Sequence, residues 1–256
     1  KIAIVMPAHN EEKRIGKTLE EYSLFFNNLR KEGLLDYEIL VVINNTKDKT
    51  EEVVKEHIRK NKAIRYLNLV RGGKGYAVVE GFKECLNKDF DLIGFVDADM
   101  ATHPEEYWKL IANIENYDGI IADRYIRASR IYPPPTLRRL IARKLFNFVI
   151  RSLLLVPFND TQCGAKIFKK DAIKEILPSL TMSQWAFDID LLYALKKNRF
   201  RIKAFPTVWT DKEYSTINFW KAGPWMALAI VRLRLLHSPF KKLIRFYDKF
   251  IGFIPK

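Results

Sequence analysis

Cysteines, long apolar runs and repeats are scarce in this 256-residue sequence, and each scarcity excludes a class of protein. The two cysteines, Cys85 and Cys163, lie far apart and form no metal-ligand pattern, so we expect free thiols in a reducing cytoplasm. No stretch reaches the roughly 18 consecutive apolar residues that a membrane-spanning helix needs. The sequence begins directly with an apolar strand-like run, so we expect no signal peptide. The composition, 48% hydrophobic and 29% charged, is that of a globular protein.

Acidic residues are missing from one long stretch. Positions 124–159 contain eight basic residues and no acidic one, and positions 215–256 contain eight basic residues against Asp248 alone. The net charge of +14 is therefore concentrated in two stretches, which are also rich in Leu, Ile, Phe and Trp. A solvated basic face fits this apolar content poorly. We expect one side of the protein to meet an anionic partner, such as a membrane surface, a phosphate-bearing substrate or nucleic acid.

Apolar runs alternate with amphipathic segments through the first hundred residues. Residues 1–7, 37–43, 64–69 and 92–96 have the pattern of buried strands, and helical spacing separates them. This order predicts an α/β fold, a mostly parallel sheet flanked by helices. Beyond it we expect a strand at 120–125, a helix at about 136–155, a strand after the polar turn 159–164, a short helix at 171–176, a helix around 185–192 and a strand at 202–209.

Two carboxylates follow the fourth predicted strand. Asp97 and Asp99 are separated by one residue, so in an extended chain both point to the same side. They would lie at the carboxyl end of the sheet, where open α/β sheets bind ligands. Hard oxygen ligands suit Mg²⁺ or Mn²⁺, which commonly share their coordination shell with substrate phosphates. The alternative is that this segment only ends a strand and caps a helix beginning near Thr102.

A glycine-rich turn precedes the third predicted helix. Residues 71–77 (RGGKGYA) combine close backbone approach, a helix N-terminus and the charge of Lys74, which together suit an anion. The spacing matches neither common nucleotide-binding fingerprint. The alternative is a tight strand-to-helix turn with an exposed lysine.

Asp188 and Asp190 lie within a mostly apolar helical segment. An acid on a buried helical face needs a partner or a chemical role, so Asp188 is a candidate site residue. The alternative, one solvent-facing acid and one cap, fits Asp190 better than Asp188.

Residues 215–256 mix aromatic, apolar and basic side chains. This mixture is typical of helices that lie in a membrane interface. We therefore divide the chain into a globular domain, residues 1–214, and amphipathic membrane-associating helices, residues 215–256. The alternative is a helix packed on the sheet, with basic side chains reaching solvent.

Several motifs, taken in order, resemble the family-2 inverting glycosyltransferases of the GT-A fold. The first half supplies residues 7–11 (PAHNE), 41–50 (VVINNTKDKT), 73–75 (GKG) and 97–99 (DAD). In the second half, similarity to the dolichyl-phosphate sugar synthases, and among these to the glucosyl enzymes, lies in residues 123–125 (DRY), 160–166 (DTQCGAK) and 185–188 (WAFD). The resemblance covers about residues 2–215.

The resemblance implies a role for each matching residue. The residues implied to bind the nucleotide sugar are Pro7, Ala8, Glu11, Asn44, Lys74 and Asp97. The metal would be bound by Asp99 and Asp97, and the residues implied in catalysis are Asp99, Asp188 and Lys74. The acceptor phosphate would be bound by Arg124 and Arg138. An arginine suits a phosphate because the guanidinium can bind it bidentately. The implied cofactor is Mg²⁺ or Mn²⁺, and the implied partners are a nucleotide sugar and a dolichyl (polyprenyl) phosphate. The implied location is the cytoplasmic face of a membrane, with peripheral attachment.

Two positions depart from the family's pattern. Asn44 stands where an acid is usual, although an amide can still accept a hydrogen bond from a uracil N–H. Ala101 stands where the mannose synthases have a glutamine that can join the metal shell, so donor phosphates would supply more ligands. The glucosyltransferase-like relatives also have a small residue there, which favours UDP-glucose over the second candidate donor, GDP-mannose.

A basic nucleic-acid-binding module is the alternative from another class. The aromatic residues lie mostly beside apolar ones and are not spaced as a stacking platform, and no nucleic-acid-binding motif occurs, so we expect no nucleic-acid partner. A catalytically inactive scaffold fits poorly because Lys74, Asp97 and Asp99 are all present.

Overall fold

A computed structural model of the chain describes residues 1–181, 186–210 and 219–236, together with residues 238 and 244. Its strands are β1 (Ile2–Ala8), β2 (Tyr37–Asn44), β3 (Ile64–Leu69), β4 (Leu92–Val96), β5 (Gly119–Asp123), β6 (Arg130–Tyr132), β7 (Ala165–Lys169), β8 (Ile202–Pro206) and β9 (Val208–Thr210). Its α-helices are α1 (Ile15–Lys31), α2 (Thr50–Lys60), α3 (Lys74–Leu86), α4 (Pro104–Ala112), α5 (Leu137–Leu154), α6 (Lys170–Ile176), α7 (Phe187–Lys197) and α8 (Phe219–Leu236).

Seven strands form one sheet in the order β3-β2-β1-β4-β7-β5-β8. Every neighbouring pair is parallel except the two that involve β7, which runs antiparallel to β4 and β5. The predicted mostly parallel, helix-flanked sheet is confirmed. Because β7 runs backwards, its first residue, Ala165, lies beside Val96 at the end of β4. Residues that precede β7 therefore reach the same edge as residues that follow β4.

Helices cover both faces of the sheet, which explains why its central strands are continuously apolar. In β1, Ala3 and Val5 pack with α3 and α7, and Ile4 and Met6 pack with α1 and α4 on the other face. The side chains at positions 15, 19, 22 and 26 of α1 are all buried, as its helical spacing predicted.

The predicted strand at 202–209 is wrong, because the chain there forms two short strands in different sheets. β8 pairs with β5 as far as Pro206 opposite Asp123, where β5 ends. With no partner beyond that point, the chain turns and β9 pairs with β6, an exposed three-residue strand that the sequence pattern did not indicate.

The carboxyl-terminal segment is described only in part. In α8, Ala229, Ile230 and Leu233 are buried in the same apolar cluster as α3 and α7. Within the described ranges, none of the helices has both the length and the apolar content needed to cross a membrane. The boundary at 214/215 lies outside the described residues, as do Trp185 and all the lysines and arginines after Leu236.

Candidate active site

The carboxyl ends of β1, β2 and β4 enclose a cleft of about 280 Å³. Its lining residues are Pro7, His9, Glu11, Asn44, Lys74, Asp97, Ala98 and Asp99. The structure thus brings together the residues predicted for the donor and metal sites, with two differences. Ala8 is fully buried behind the lining, and His9, which the sequence analysis did not single out, is part of it.

Asn44 joins three segments of the cleft wall. Its side-chain Nδ2 donates to the carbonyl of Ala8 at 3.1 Å, and its Oδ1 accepts from the backbone N–H of Gly73 at 3.1 Å. Both ends of the amide are therefore engaged by backbone groups. A carboxylate could not donate to Ala8, so the amide suits this arrangement. Asn44 holds the glycine turn against the end of β1.

Glu11 lies in the cleft wall with Arg14 as its partner. Arg14 donates to both carboxylate oxygens, with Nε to Oε2 at 2.7 Å and Nη2 to Oε1 at 2.6 Å. Burial nevertheless raises the pKa of Glu11 above its ordinary value, because the nearby arginine only partly offsets the loss of water.

Lys74 is the first residue of α3 and reaches across the cleft. Its Nζ lies 2.6 Å from Asp97 Oδ1 and 3.9 Å from Asp188 Oδ2. Burial would lower the pKa of Lys74, but the charges of Asp97 and Asp188 outweigh it and raise that pKa. Lys74 is therefore a permanent cation, in contact with two of the acids that the sequence analysis selected.

Asp97 is fixed by the turn before β7. Its backbone N–H donates to the carbonyl of Gly164 at 3.0 Å. A Cβ atom on Gly164 would lie only 1.9 Å from Asp97 Oδ2, so this position accepts only glycine while Asp97 stays in place. The antiparallel direction of β7 is what brings Gly164 to this edge of the sheet.

Asp99 follows at the beginning of the next turn. Its Oδ1 accepts from the backbone N–H of Ala101 at 2.9 Å. Burial, and after it the charge of Asp97, raises the pKa of Asp99 above its ordinary value. Asp99 therefore lies where the nearby positive charges do not offset its burial.

The donor atoms at this place fit a hard divalent cation. Among the described residues, no group of three or more His, Cys, Asp and Glu side chains converges on one point. Two carboxylates alone match ions such as Mg²⁺ or Mn²⁺, which are often bound by one or two protein carboxylates together with substrate phosphates.

Asp188, at the start of α7, lies between two lysines. Its Oδ1 is 2.5 Å from Nζ of Lys166, and its Oδ2 faces Lys74. Although burial would raise the pKa of Asp188, the charges of Lys166 and Lys74 hold it below its ordinary value. Lys166 is a site residue that the sequence analysis missed, although a lysine between Ala165 and Ile167 in an apolar strand was a visible signal.

The alternative for Asp188 and Asp190, one solvent-facing acid and one cap, is wrong. Asp190 is completely buried, and its Oδ2 accepts from the backbone N–H and the hydroxyl of Thr181, both at 2.7 Å. It ties α7 to the preceding segment, and only Asp188 faces the cleft lysine.

Arg124 forms a buried fork with Asp160. Its Nε donates to Oδ2 at 2.6 Å and its Nη2 to Oδ1 at 2.9 Å, while the guanidinium lies 4.8 Å from the ring centre of Trp209. Although burial would raise the pKa of Asp160, Arg124 holds it below its ordinary value. The structure therefore gives Arg124 an internal partner that the sequence analysis did not anticipate.

Arg138 lies exposed in the first turn of α5. Further along this helix is a second cleft of about 290 Å³, next to the residues that follow β5. Its lining is Tyr125, Leu140, Lys144, Asn147, Phe148, Arg151 and Asn159. Apolar and basic side chains thus meet in this cleft.

Both cysteines are free, as expected, and both are buried. Cys163 lies beside the Arg124–Asp160 pair, where burial raises the pKa of its thiol to about 12. Such a thiol is a weak nucleophile, so Cys163 has no evident chemical role at this site.

Comparisons with known proteins agree with the geometry. A dolichyl-phosphate β-glucosyltransferase of Dictyostelium discoideum is 30% identical over 91% of this chain and 73% of its own length. Another, of Trichomonas vaginalis, is 31% identical over 81% of this chain but only 63% of its own length. A mannosyltransferase of Pyrobaculum calidifontis, solved with GDP-Man and Mn²⁺, has the same fold, with a TM-score of 0.61 at 13% identity over 95% of this chain and 64% of that one. The sequence profile of glycosyl transferase family 2 matches residues 3–177, and the chain belongs to that family.

Proposed function

We propose that this protein transfers glucose from UDP-glucose to dolichyl phosphate or another polyprenyl phosphate, with inversion at the anomeric carbon. The product would be dolichyl β-D-glucosyl phosphate. The observation that carries the proposal is the joint position of Lys74, Asp97 and Asp99 at one cleft, with Asp188 3.9 Å from Lys74. Its support is that the chain is about 30% identical to two dolichyl-phosphate β-glucosyltransferases over most of its length.

The nucleoside of the donor would occupy the cleft between β1 and β2. Pro7, Ala8, Glu11 and Asn44 belong to its wall or lie directly behind it. Because the Asn44 amide is bonded to backbone on both ends, we assign it to shaping the pocket, with any contact to the base made in addition.

Asp97 and Asp99 would hold Mg²⁺ or Mn²⁺ together with oxygens of the donor diphosphate. When bound, the cation offsets negative charge on the departing UDP. Lys74 contributes the same kind of stabilisation from the protein itself, because its ammonium group is fixed in the cleft and always charged.

The acceptor phosphate would attack the anomeric carbon from the face opposite UDP. A bond forms between a phosphate oxygen and that carbon as the bond to the UDP oxygen breaks. A phosphate monoester has a second pKa near about 6, by analogy with phosphoserine, and is largely dianionic at pH 7. Since the two lysines keep Asp188 ionised as well, we assign Asp188 to orientation and electrostatics, with no proton to move.

Arg124 and Arg138 would bind the acceptor phosphate. Asp160 uses Nε and Nη2 of Arg124, so the phosphate would be met by the Nη1 edge of that guanidinium. Arg138 would approach from α5, beside the apolar and basic cleft that suits the first part of a lipid chain.

Helix α5 supports peripheral attachment to a membrane. Phe146, Ile150 and Leu154 are buried in the core, whereas a second apolar row faces solvent at Leu137, Ile141, Leu145, Phe148 and, just past the helix end, Leu155. Arg138, Lys144 and Arg151 are exposed on the same helix. An apolar row with basic neighbours suits an anionic membrane surface, where each basic residue adds about 1 kcal/mol.

We retain the division into a catalytic part, residues 1–214, and a membrane-associating part, residues 215–256. We add α5, within the first part, to the elements proposed to face the membrane. The protein would work on the cytoplasmic face of the membrane, where nucleotide sugar and lipid phosphate meet.

The test is a donor competition. Purified protein, polyprenyl phosphate and Mg²⁺ or Mn²⁺ are incubated separately with labelled UDP-glucose and labelled GDP-mannose, and lipid is extracted. We expect label in the lipid phase from UDP-glucose only, and its loss on adding EDTA. Label from GDP-mannose only would show that the donor is GDP-mannose and not UDP-glucose. Absence of lipid label from both donors would overturn the proposed acceptor.

A further inference from the structure

Lys166 is the most deeply buried charged side chain of the site. It lies within β7, opposite Phe95 of β4, and is 0% exposed. Its Nζ donates to the carbonyl of Cys163 at 2.6 Å and to Asp188 Oδ1 at 2.5 Å, and it lies 5.0 Å from the ring centre of Phe95. A buried ammonium with two oxygen partners has little freedom to move.

The Lys166–Asp188 pair differs from an ordinary core ion pair in what its outer end faces. Asp188 is 14% exposed, and its second oxygen points to Lys74, 3.9 Å away. Lys74 in turn contacts Asp97 at 2.6 Å. The charges therefore alternate from the buried strand to the cleft, in the order Lys166, Asp188, Lys74 and Asp97.

We propose that Lys166 is a positioning residue for glycosyl transfer, and that it acts by holding Asp188 in the orientation in which its free oxygen faces Lys74. This inference rests on the proposed function. We assign its effect on the reaction to Asp188, the carboxylate that it shares with Lys74. The Lys166 ammonium is completely enclosed, so it has no route to contact the substrate directly.

The arrangement explains why a lysine is placed between two buried apolar residues of β7. The neighbours of Lys166 in β7, Ala165 and Ile167, are fully buried, and an apolar residue at 166 would pack there without desolvating a charge. Without Lys166, Lys74 would be the one remaining cation beside Asp188 among the described residues, at a longer distance. The buried cation therefore makes the direction of the Asp188 carboxylate independent of what binds in the cleft.

The experiment is a double-mutant cycle with the variants Lys166→Met, Asp188→Asn and the double variant. Kinetics give kcat and the KM for UDP-glucose with polyprenyl phosphate as acceptor, and chemical denaturation gives stability. We expect Lys166→Met to lower kcat roughly 10- to 100-fold, as loss of a residue that orients another typically does, with little change in KM. In the Asp188→Asn background, Lys166→Met should lower kcat no further.

A matched control is Lys170→Met. Lys170 lies at the start of α6 and donates to the backbone carbonyl of Lys88, so we expect it to take no part in holding Asp188. We expect the Lys170→Met variant to be somewhat less stable than the wild-type protein and to keep the wild-type kcat. Multiplicative effects of Lys166→Met and Asp188→Asn on kcat, or a loss of stability with kcat intact, would overturn the positioning role.

UDP release separates this inference from the proposed function. If the wild-type protein releases UDP from UDP-glucose but places no glucose on the lipid, the proposed acceptor fails and the same cycle is measured on UDP release. Coupling there supports the role of Lys166, and its absence overturns it. If no tested donor is cleaved at all, both proposals are overturned.

Discussion

Gly164 fixes the place of Asp97 although it has no side chain of its own. Its carbonyl accepts from the Asp97 N–H, and its missing Cβ leaves the room that Asp97 Oδ2 occupies. The smallest possible enlargement therefore acts directly on a site carboxylate. An error of about 1 Å in such a group can lower a rate about 100-fold.

We expect Gly164→Ala to lower the transfer rate about 100-fold or more, because Asp97 must move away from the new methyl group. Initial rates with labelled UDP-glucose give the activity, and circular dichroism checks the fold. Gly33→Ala is the control, since Gly33 lies after α1 with a φ of +72° and open space around it. That change adds local backbone strain and should leave the rate intact. Wild-type activity in Gly164→Ala would contradict the prediction.

Asp99 and Asp188 should differ in importance. Asp99→Asn removes the carboxylate that we assign to the cation and should cost about 100- to 1,000-fold in kcat. Asp188→Asn keeps the shape of a group with no proton to move, so a smaller loss is expected. Steady-state kinetics on both variants decides, and equal or reversed losses would give Asp188 a larger chemical role.

The sequence could predict the acids of the site better than their partners. Asp97, Asp99 and Lys74 follow strands or open a helix in a local pattern, and the structure places all three at one cleft. Lys166 pairs with Asp188, and Asp160 pairs with Arg124. The two residues of each pair are more than 20 positions apart in the chain. Such pairings depend on which strands become neighbours, which hydrophobic periodicity does not encode.

Helix α5 has two apolar faces, one buried in the core and one exposed. One face packs into the core through Phe146 and Ile150, and the other exposes Leu145 and its row neighbours. Exposed apolar side chains on a helix with basic residues have an evident use only if another apolar phase covers them.

We expect Leu145→Glu to weaken binding to anionic vesicles about tenfold or more. Burial of the leucine side chain in the membrane would contribute about 2 kcal/mol of binding free energy, and the variant puts a negative charge in its place. Co-sedimentation with vesicles containing phosphatidylserine measures the change. Leu24→Glu is the matched control, since Leu24 is 63% exposed on α1 and Leu145 is 64% exposed. Equal weakening by both variants would remove α5 from the membrane-facing surface.

The Arg124–Asp160 pair joins the end of β5 to the turn before β7, and its loss should be visible in stability against pH. The folded pKa of Asp160 is lowered, so its contribution is complete above the unfolded value, about 3.9, and is lost as pH falls through the folded value. We expect Asp160→Asn to cost about 3 kcal/mol near pH 7, because the variant leaves Arg124 buried without its partner. Denaturation midpoints are measured for both proteins at pH 7, 5 and 3. The difference in stability between wild type and Asp160→Asn should shrink only at the lowest pH. A gap independent of pH would mean that the carboxylate charge is not what stabilises the pair.

Element type was predictable where the local pattern was strong. The alternation of β1 to β4 with α1 to α3 was confirmed, whereas the direction of β7 and the existence of β6 were not foreseen. Direction depends on the route of the connection, and β6 has only three residues, none of them fully buried. The sequence also gave no signal that residues 202–209 would serve two sheets, because one apolar run can pair with two partners.

At the scale of the whole molecule, the cleft proposed for the donor joins elements that are far apart in the chain. The cleft takes residues from β1, β2, α3 and the segment after β4. A ligand bound there stabilises the folded form alone and should therefore stabilise the complete sheet.

We expect UDP with Mn²⁺ at about 100 times its dissociation constant to add about 2.7 kcal/mol of stability and raise Tm by about 5 °C or more. Thermal denaturation with and without EDTA measures the shift, which EDTA should remove. Asp99→Asn should show little shift with the same additions. An undiminished shift in that variant, or in EDTA, would separate nucleotide binding from the metal.

The reversed strand β7 also has a consequence for how the chain is made. β4, an apolar segment of five residues, has β1 on one side and only β7 on the other. A ribosome-bound chain that has not yet emerged as far as Ala165 can assemble β1 to β4. In that state β4 is an unpaired apolar edge strand, which can pair with other chains. Fragments that stop before this point should therefore aggregate, and we expect that the half with the cleft cannot be isolated simply by cutting the gene after Asp99.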